Sequence, residues 1–144
     1  MNQQSYIKPE GIAIRGKILV VDDELEGRET VANFLRRRGF AADVALSGEE
    51  CLEKIKQKTF DLVLLDISLA GMDGLLTLKR IKEINPNIKV IMITAYGDIE
   101  MAIRAIKSGA TDFVLKPWEN DKLIATIEDV LKEHTEEKFK ITDF

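Results

Sequence analysis

Cysteine and histidine each occur once, as Cys51 and His134. A single cysteine excludes an internal disulfide and any site built from several thiolates. A single histidine, set in a polar C-terminal stretch, excludes multi-histidine metal centres and argues against triad chemistry. Basic excess is missing too: 21 Lys and Arg stand against 25 Asp and Glu, a net charge of −4. Such a chain lacks the phosphate-neutralising surplus of a general nucleic-acid binder. No long apolar run exists. The longest are Ile18–Val21, Leu62–Leu65 and Val90–Ile93, far short of the roughly 20 residues that span a bilayer. The stretch Met1–Gly11 has no apolar core of the signal-peptide kind. A membrane role is not expected, and a reducing cytoplasm is the expected location. The glycine-rich phosphate-binding patterns G-x-x-x-x-G-K-[ST] and G-x-G-x-x-G are absent as well.

What is present is an ordinary globular balance, 45% apolar and 32% charged over 144 residues, enough for one domain with a substantial core. Residues 1–16, punctuated by Pro9, Gly11 and Gly16, read as a flexible arm. Residues 17–133 read as the folded domain, and 134–144 as a charged tail or the start of a linker. Within the domain, short apolar runs at 17–21, 41–46, 61–65, 89–93 and 112–115 predict strands buried on both faces, the second less apolar and suited to an edge. Amphipathic stretches lie between them. Val31, Phe34 and Leu35 form one stripe, closed by Arg36, Arg37, Arg38 and Gly39. Ser47 with Glu50 opens the second helix, which turns Cys51, Leu52 and Ile55 inward. Asp73 opens the third, with Leu75, Leu78 and Ile81 on one face. Asp98 is the expected cap of the fourth, whose inward stripe is read as Ile99, Ala102, Ile103 and Ile106. Leu123, Ile127, Val130 and Leu131 mark the fifth. Five successive βα units predict an α/β fold: a doubly wound, five-stranded parallel sheet of flavodoxin-like order 2-1-3-4-5, with helices on both faces.

In such sheets function gathers beyond the C-terminal ends of the strands. The first strand ends in Asp22, Asp23 and Glu24, the third at Asp66, the fourth at Thr94 and Ala95, the fifth at Lys116 and Pro117. Taken singly, each has a plain reading as a helix cap, a turn residue or a strand exit. Together they bring three aspartates, a hydroxyl and an ammonium to one edge. Two carboxylates about 4 Å apart repel by roughly 4 kcal/mol at an effective dielectric of about 20, so this edge calls for a cation or a proton. Oxygen donors without His or Cys select a hard ion, and few carboxylates with room for water and phosphate fit Mg²⁺ better than Ca²⁺. Carboxylate, divalent cation, lysine and hydroxyl form a set suited to phosphoryl transfer.

These residues resemble the receiver domain of two-component response regulators. The likeness runs from about Lys17 to Leu131 and rests on Ile18–Glu24, Leu64–Ile67, Gly71–Gly74, Val90–Ala95, Gly109–Phe113 and Lys116-Pro117. It implies that Asp66 is the phosphoacceptor. Asp22, Asp23, Asp66 and the backbone carbonyl of Ser68 would hold Mg²⁺. Lys116 would bind the acceptor and then the phosphoryl group, Thr94 would bond a phosphoryl oxygen, and Phe113 would turn inward on activation. Ser68 and Tyr96 occupy positions that tune dephosphorylation, and the Lys116–Pro117 bond is expected to be cis. Where many relatives have proline before Gly71, this chain has Ala70. The stretches Thr94–Glu100 and Lys116–Trp118 are similar to the NtrC-like subgroup that regulates sigma-54 transcription. An effector domain is therefore expected in the full-length chain, the present sequence being read as an excised receiver in preference to a stand-alone one.

The resemblance further implies a sensor histidine kinase as partner, no direct nucleic-acid binding by this domain, and catalysis limited to its own aspartyl phosphorylation and dephosphorylation. The alternative is a receiver-like interaction module that works without phosphorylation. A phosphatase with an aspartyl intermediate would want a second carboxylate two residues after the nucleophile, where Ser68 stands. The fourth helix also carries Met101 and Ala105, an apolar extension that reads either as a partner surface or as a broad core face. Self-association as a homodimer, or binding of the effector domain, through the fourth helix, fifth strand and fifth helix is the expected use of that face.

Overall fold

The structure is a computed structural model that describes residues 14–67, 69, 72–95 and 99–142, with side chains through Lys132. Strands and helices alternate throughout: β1 (Lys17–Val21), α1 (Leu25–Arg37), β2 (Ala41–Ala45), α2 (Gly48–Gln57), β3 (Leu62–Asp66), α3 (Gly74–Ile84), β4 (Lys89–Ala95), α4 (Ile99–Lys107), β5 (Asp112–Lys116) and α5 (Asn120–Thr142). All neighbouring strands are parallel, in the order β2-β1-β3-β4-β5. The expected α/β fold is therefore the one observed.

Side chains of a strand alternate between faces, and the continuous apolar runs feed two cores at once. Leu19, Val21, Val63 and Leu65 join Cys51, Leu78 and Ile81 on the face covered by α2 and α3. Ile18, Val20, Leu62 and Leu64 join Leu35, Leu123 and Ile127 on the face covered by α1 and α5. Each large side chain fully buried there contributes about 1.5–3 kcal/mol of transfer free energy.

The helix starts follow local chemistry. Ser47 Oγ accepts from the Glu50 N–H at 3.0 Å, while Glu50 Oε1 accepts from the Leu46 N–H at 2.6 Å, one residue earlier than a reciprocal capping box would use. Asp73 Oδ1 accepts from the Leu76 N–H at 2.8 Å. Gly39 has φ +97° and Gly109 +115°, left-handed turns that release the chain from α1 and α4. Ahead of β1, the Arg15 N–H donates to the Gly39 carbonyl at 3.0 Å, and its guanidinium pairs with Glu128 of α5 and lies 4.6 Å from the centre of the Phe40 ring. The backbone of α5 stays helical through Thr142, into the stretch read from sequence as tail or linker.

One helix is rotated from expectation. In α4 the buried residues are Ala102 and Ala105, with Met101 half-buried against the core. Ile99, Ile103 and Ile106 point outward at 41%, 47% and 40% exposure. Of the expected inward stripe only Ala102 is inward. Ala105, read as partner surface, is fully buried and offers none, and Met101 offers little. Both stripes fit a 3.6-residue period, but alanines admit a closer helix–sheet approach, so the small side chains face β4 and β5. Asp98, the expected cap of this helix, lies outside the described residues.

Candidate functional site: an acidic pocket at the strand ends

Parallel register carries the chemistry to one edge. Val21 pairs with Leu65, Asp66 with Ile93, and Ala95 with Lys116. The residues that end β1, β3, β4 and β5 therefore meet at the C-terminal rim. Asp22, Asp23 and Asp66 each present a carboxylate oxygen, and these oxygens lie within 4.8 Å of one another. Lys116 Nζ donates to Asp66 Oδ2 at 2.9 Å. Asp66 is only 5% exposed and Thr94 is fully buried, its Oγ1 donating to the Ala95 carbonyl at 3.3 Å. Phe113, half-buried on β5, packs against the core beneath α4. The Lys116–Pro117 bond is cis. Ser68, Ala70 and Tyr96 lie outside the described residues.

Three carboxylates facing one ammonium leave an excess of negative charge. Burial pushes the Asp22 carboxyl above the ordinary range, and the Asp66 charge adds to it, although the Glu24 N–H and Lys116 pull the other way. Burial alone would depress Lys116, but its hydrogen bond to Asp66 and the charges of Asp66, Asp22 and Glu24 outweigh this and raise it. The pocket thus resists losing its last protons and favours a cation. The donor set fits a hard ion: it offers carboxylate oxygens alone, the ligands such ions prefer, and among the described residues no His or Cys belongs to the cluster.

Two supports of this pocket carried no role in the sequence reading. A Cβ at Gly74 would come within 2.7 Å of the Ile67 Cα and 2.8 Å of the Asp66 carbonyl oxygen. The first turn of α3 thus presses against the backbone that follows Asp66, which only glycine allows. The Glu24 N–H donates to Asp22 Oδ1 at 2.9 Å, and Arg28 Nη1 donates to the Asp22 carbonyl at 3.1 Å, so the entrance of α1 orients the acidic loop. The glycine after a capping aspartate was the available hint for the first. For the backbone donor the sequence carries no signal.

The family model of the response regulator receiver domain matches residues 18–128. The chain belongs to this family. Transcriptional regulatory protein ZraR of Salmonella typhimurium is 44% identical over 126 residues, covering 86% of this chain and 28% of that protein. DNA-binding transcriptional regulator NtrC of Escherichia coli is 36% identical over 124 residues, covering 86% and 26%. The receiver therefore spans about a quarter of the length of these curated relatives. Among solved structures, the receiver domain of NtrX from Brucella abortus superposes with a TM-score of 0.77 at 42% identity, covering 80% of this chain and 98% of that one. A CheY-like receiver domain protein from Methanospirillum hungatei gives 0.81 at 30% identity, covering 85% and 98%. The chain is thus a response regulator receiver domain related to transcriptional regulators, and its NtrC-like character agrees with the sequence reading. Among the described residues no helix is long and apolar enough to cross a membrane.

Proposed function

We propose that this receiver takes a phosphoryl group on Asp66 from a sensor histidine kinase and passes the change to an effector domain that controls transcription. The observation that carries the proposal is the convergence of Asp22, Asp23 and Asp66 with Lys116 at one rim of the sheet. Asp22, Asp23 and Asp66 would hold Mg²⁺, with the backbone carbonyl of Ser68 as a further ligand. The ion, when bound, supplies positive charge that offsets repulsion between the carboxylates and an incoming phosphoryl group. A carboxylate oxygen of Asp66 attacks phosphorus, and the donor leaves with the bonding electron pair. Lys116 is already bonded to Asp66 and stabilises charge as it moves onto the phosphoryl oxygens. Thr94, one strand away, bonds a phosphoryl oxygen. Ser68 and Tyr96 set the access of water and hence the lifetime of the acyl phosphate.

Drawing Thr94 inward frees space toward which Phe113 turns, and this repacks α4 against β5. The stripe exposed to a partner is then Ile99, Ile103 and Ile106, and a homodimer through α4, β5 and α5 is the proposed output. The domain catalyses its own phosphorylation from a small acyl phosphate and needs no kinase for the chemistry itself. Incubation with acetyl phosphate and Mg²⁺ tests this. One phosphoryl group should be incorporated, with none after chelation and none in Asp66→Asn. Absence of incorporation under all donors would leave a phosphorylation-independent interaction module.

A further inference from the structure

Gly27 is the third residue of α1, within its first turn, where glycine gives up part of the roughly 0.5–1 kcal/mol by which alanine is favoured in a helix interior. Its backbone does not require it, because among the described glycines only Gly39 and Gly109 have positive φ. Packing against the core does not require it either. Among the described residues outside its own helix backbone and chain neighbours, a Cβ built there meets only Asp22, its Oδ2 at 2.8 Å and its Cγ at 3.7 Å. The first distance is shorter than carbon and oxygen tolerate without a bond, so one of the two must move. The helix is anchored through Ala32, Phe34 and Leu35, and the main chain of Asp22 is held by Arg28. The group with freedom to move is the Asp22 carboxylate, whose other oxygen is fixed by the Glu24 N–H at 2.9 Å. A methyl group at position 27 would turn that carboxylate out of the orientation in which it joins Asp23 and Asp66.

We propose that Gly27 is a positioning residue of the cation site: the missing side chain leaves the space in which the Asp22 carboxylate is set for Mg²⁺. This rests on the cation reading given above. Gly27→Ala separates fold from site, because the two respond in opposite directions. The magnesium-free variant should melt at the same temperature as the parent or a few degrees higher, since alanine favours the helix. Its Mg²⁺ affinity, measured by calorimetric titration, should fall about 10-fold, the scale on which loss of an orienting neighbour weakens metal sites. The Mg²⁺ concentration that half-saturates acetyl phosphate labelling should rise in parallel. Asp23→Asn is the reference, since it removes a ligand directly. Unchanged Mg²⁺ affinity in Gly27→Ala, with Asp23→Asn weakened, overturns the role of Gly27 alone. A lower magnesium-free melting temperature with unchanged affinity also overturns it. Mg²⁺ affinity equal to the parent's in both variants overturns the cation reading along with it.

Discussion

Lys116 links the two halves of the pocket's electrostatics, because its ammonium neutralises part of an acidic cluster and holds Asp66 in place. Lys116→Met removes that partner from a nearly buried carboxylate. The magnesium-free domain should lose about 2 kcal/mol, as expected for a charged hydrogen bond, and added Mg²⁺ should restore more stability in the variant than in the parent. Thermal melts with and without Mg²⁺ check both signs. Cys51 gives a second prediction at this scale. Burial pushes its thiol up to about 12, so it should resist thiol reagents at neutral pH in the folded protein and react at once when denatured. Asp22, Asp23, Asp66, Thr94 and Lys116 were legible in sequence because each closes a short apolar run, and parallel strands bring such ends together. Gly27 and Gly74 were not, because the value of a missing side chain depends on which atom fills the space, and that neighbour comes from another element.

Among the elements, α4 shows where periodicity stops informing. Its nine residues Ile99–Lys107 carry two apolar stripes, and hydrophobicity alone favours the isoleucines. The sheet favours the alanines, since close approach rewards small side chains. Ala105→Leu should therefore overpack the helix–sheet contact and cost about 1–3 kcal/mol, whereas Ile103→Glu should change stability by at most about 0.5 kcal/mol. Denaturant titration of the pair separates the two orientations. A second element-level test concerns β2 and α2. Asp43 ties them together through Lys54 and Lys58, at 3.2 and 3.1 Å. Burial works upward on the Asp43 carboxyl, but the Val44 N–H and the two lysines outweigh it and hold it below the ordinary range. The folded state then binds protons less readily than the unfolded one. The contribution is complete above the ordinary carboxylate value of about 3.9 and is lost as pH falls through the lowered value. Asp43→Asn should flatten the acid limb of the stability–pH curve and leave its shape above about pH 5 unchanged.

For the whole molecule, βα alternation made the sheet order readable, because right-handed crossovers leave few ways to bury five two-faced strands. The outward stripe on α4 bears on assembly: beryllofluoride with Mg²⁺ should shift the sedimentation of the parent toward dimer, and Ile103→Glu should remain monomeric. The placing of one acceptor carboxylate among two others has a more direct test. An aspartyl phosphate is reduced by borohydride to homoserine, which marks the acceptor permanently. After labelling with acetyl phosphate and Mg²⁺, peptide mass spectrometry should find homoserine at position 66 and at no other aspartate. Homoserine at Asp22 or Asp23, or unmodified Asp66 in a phosphorylated protein, would rule out Asp66 as the acceptor.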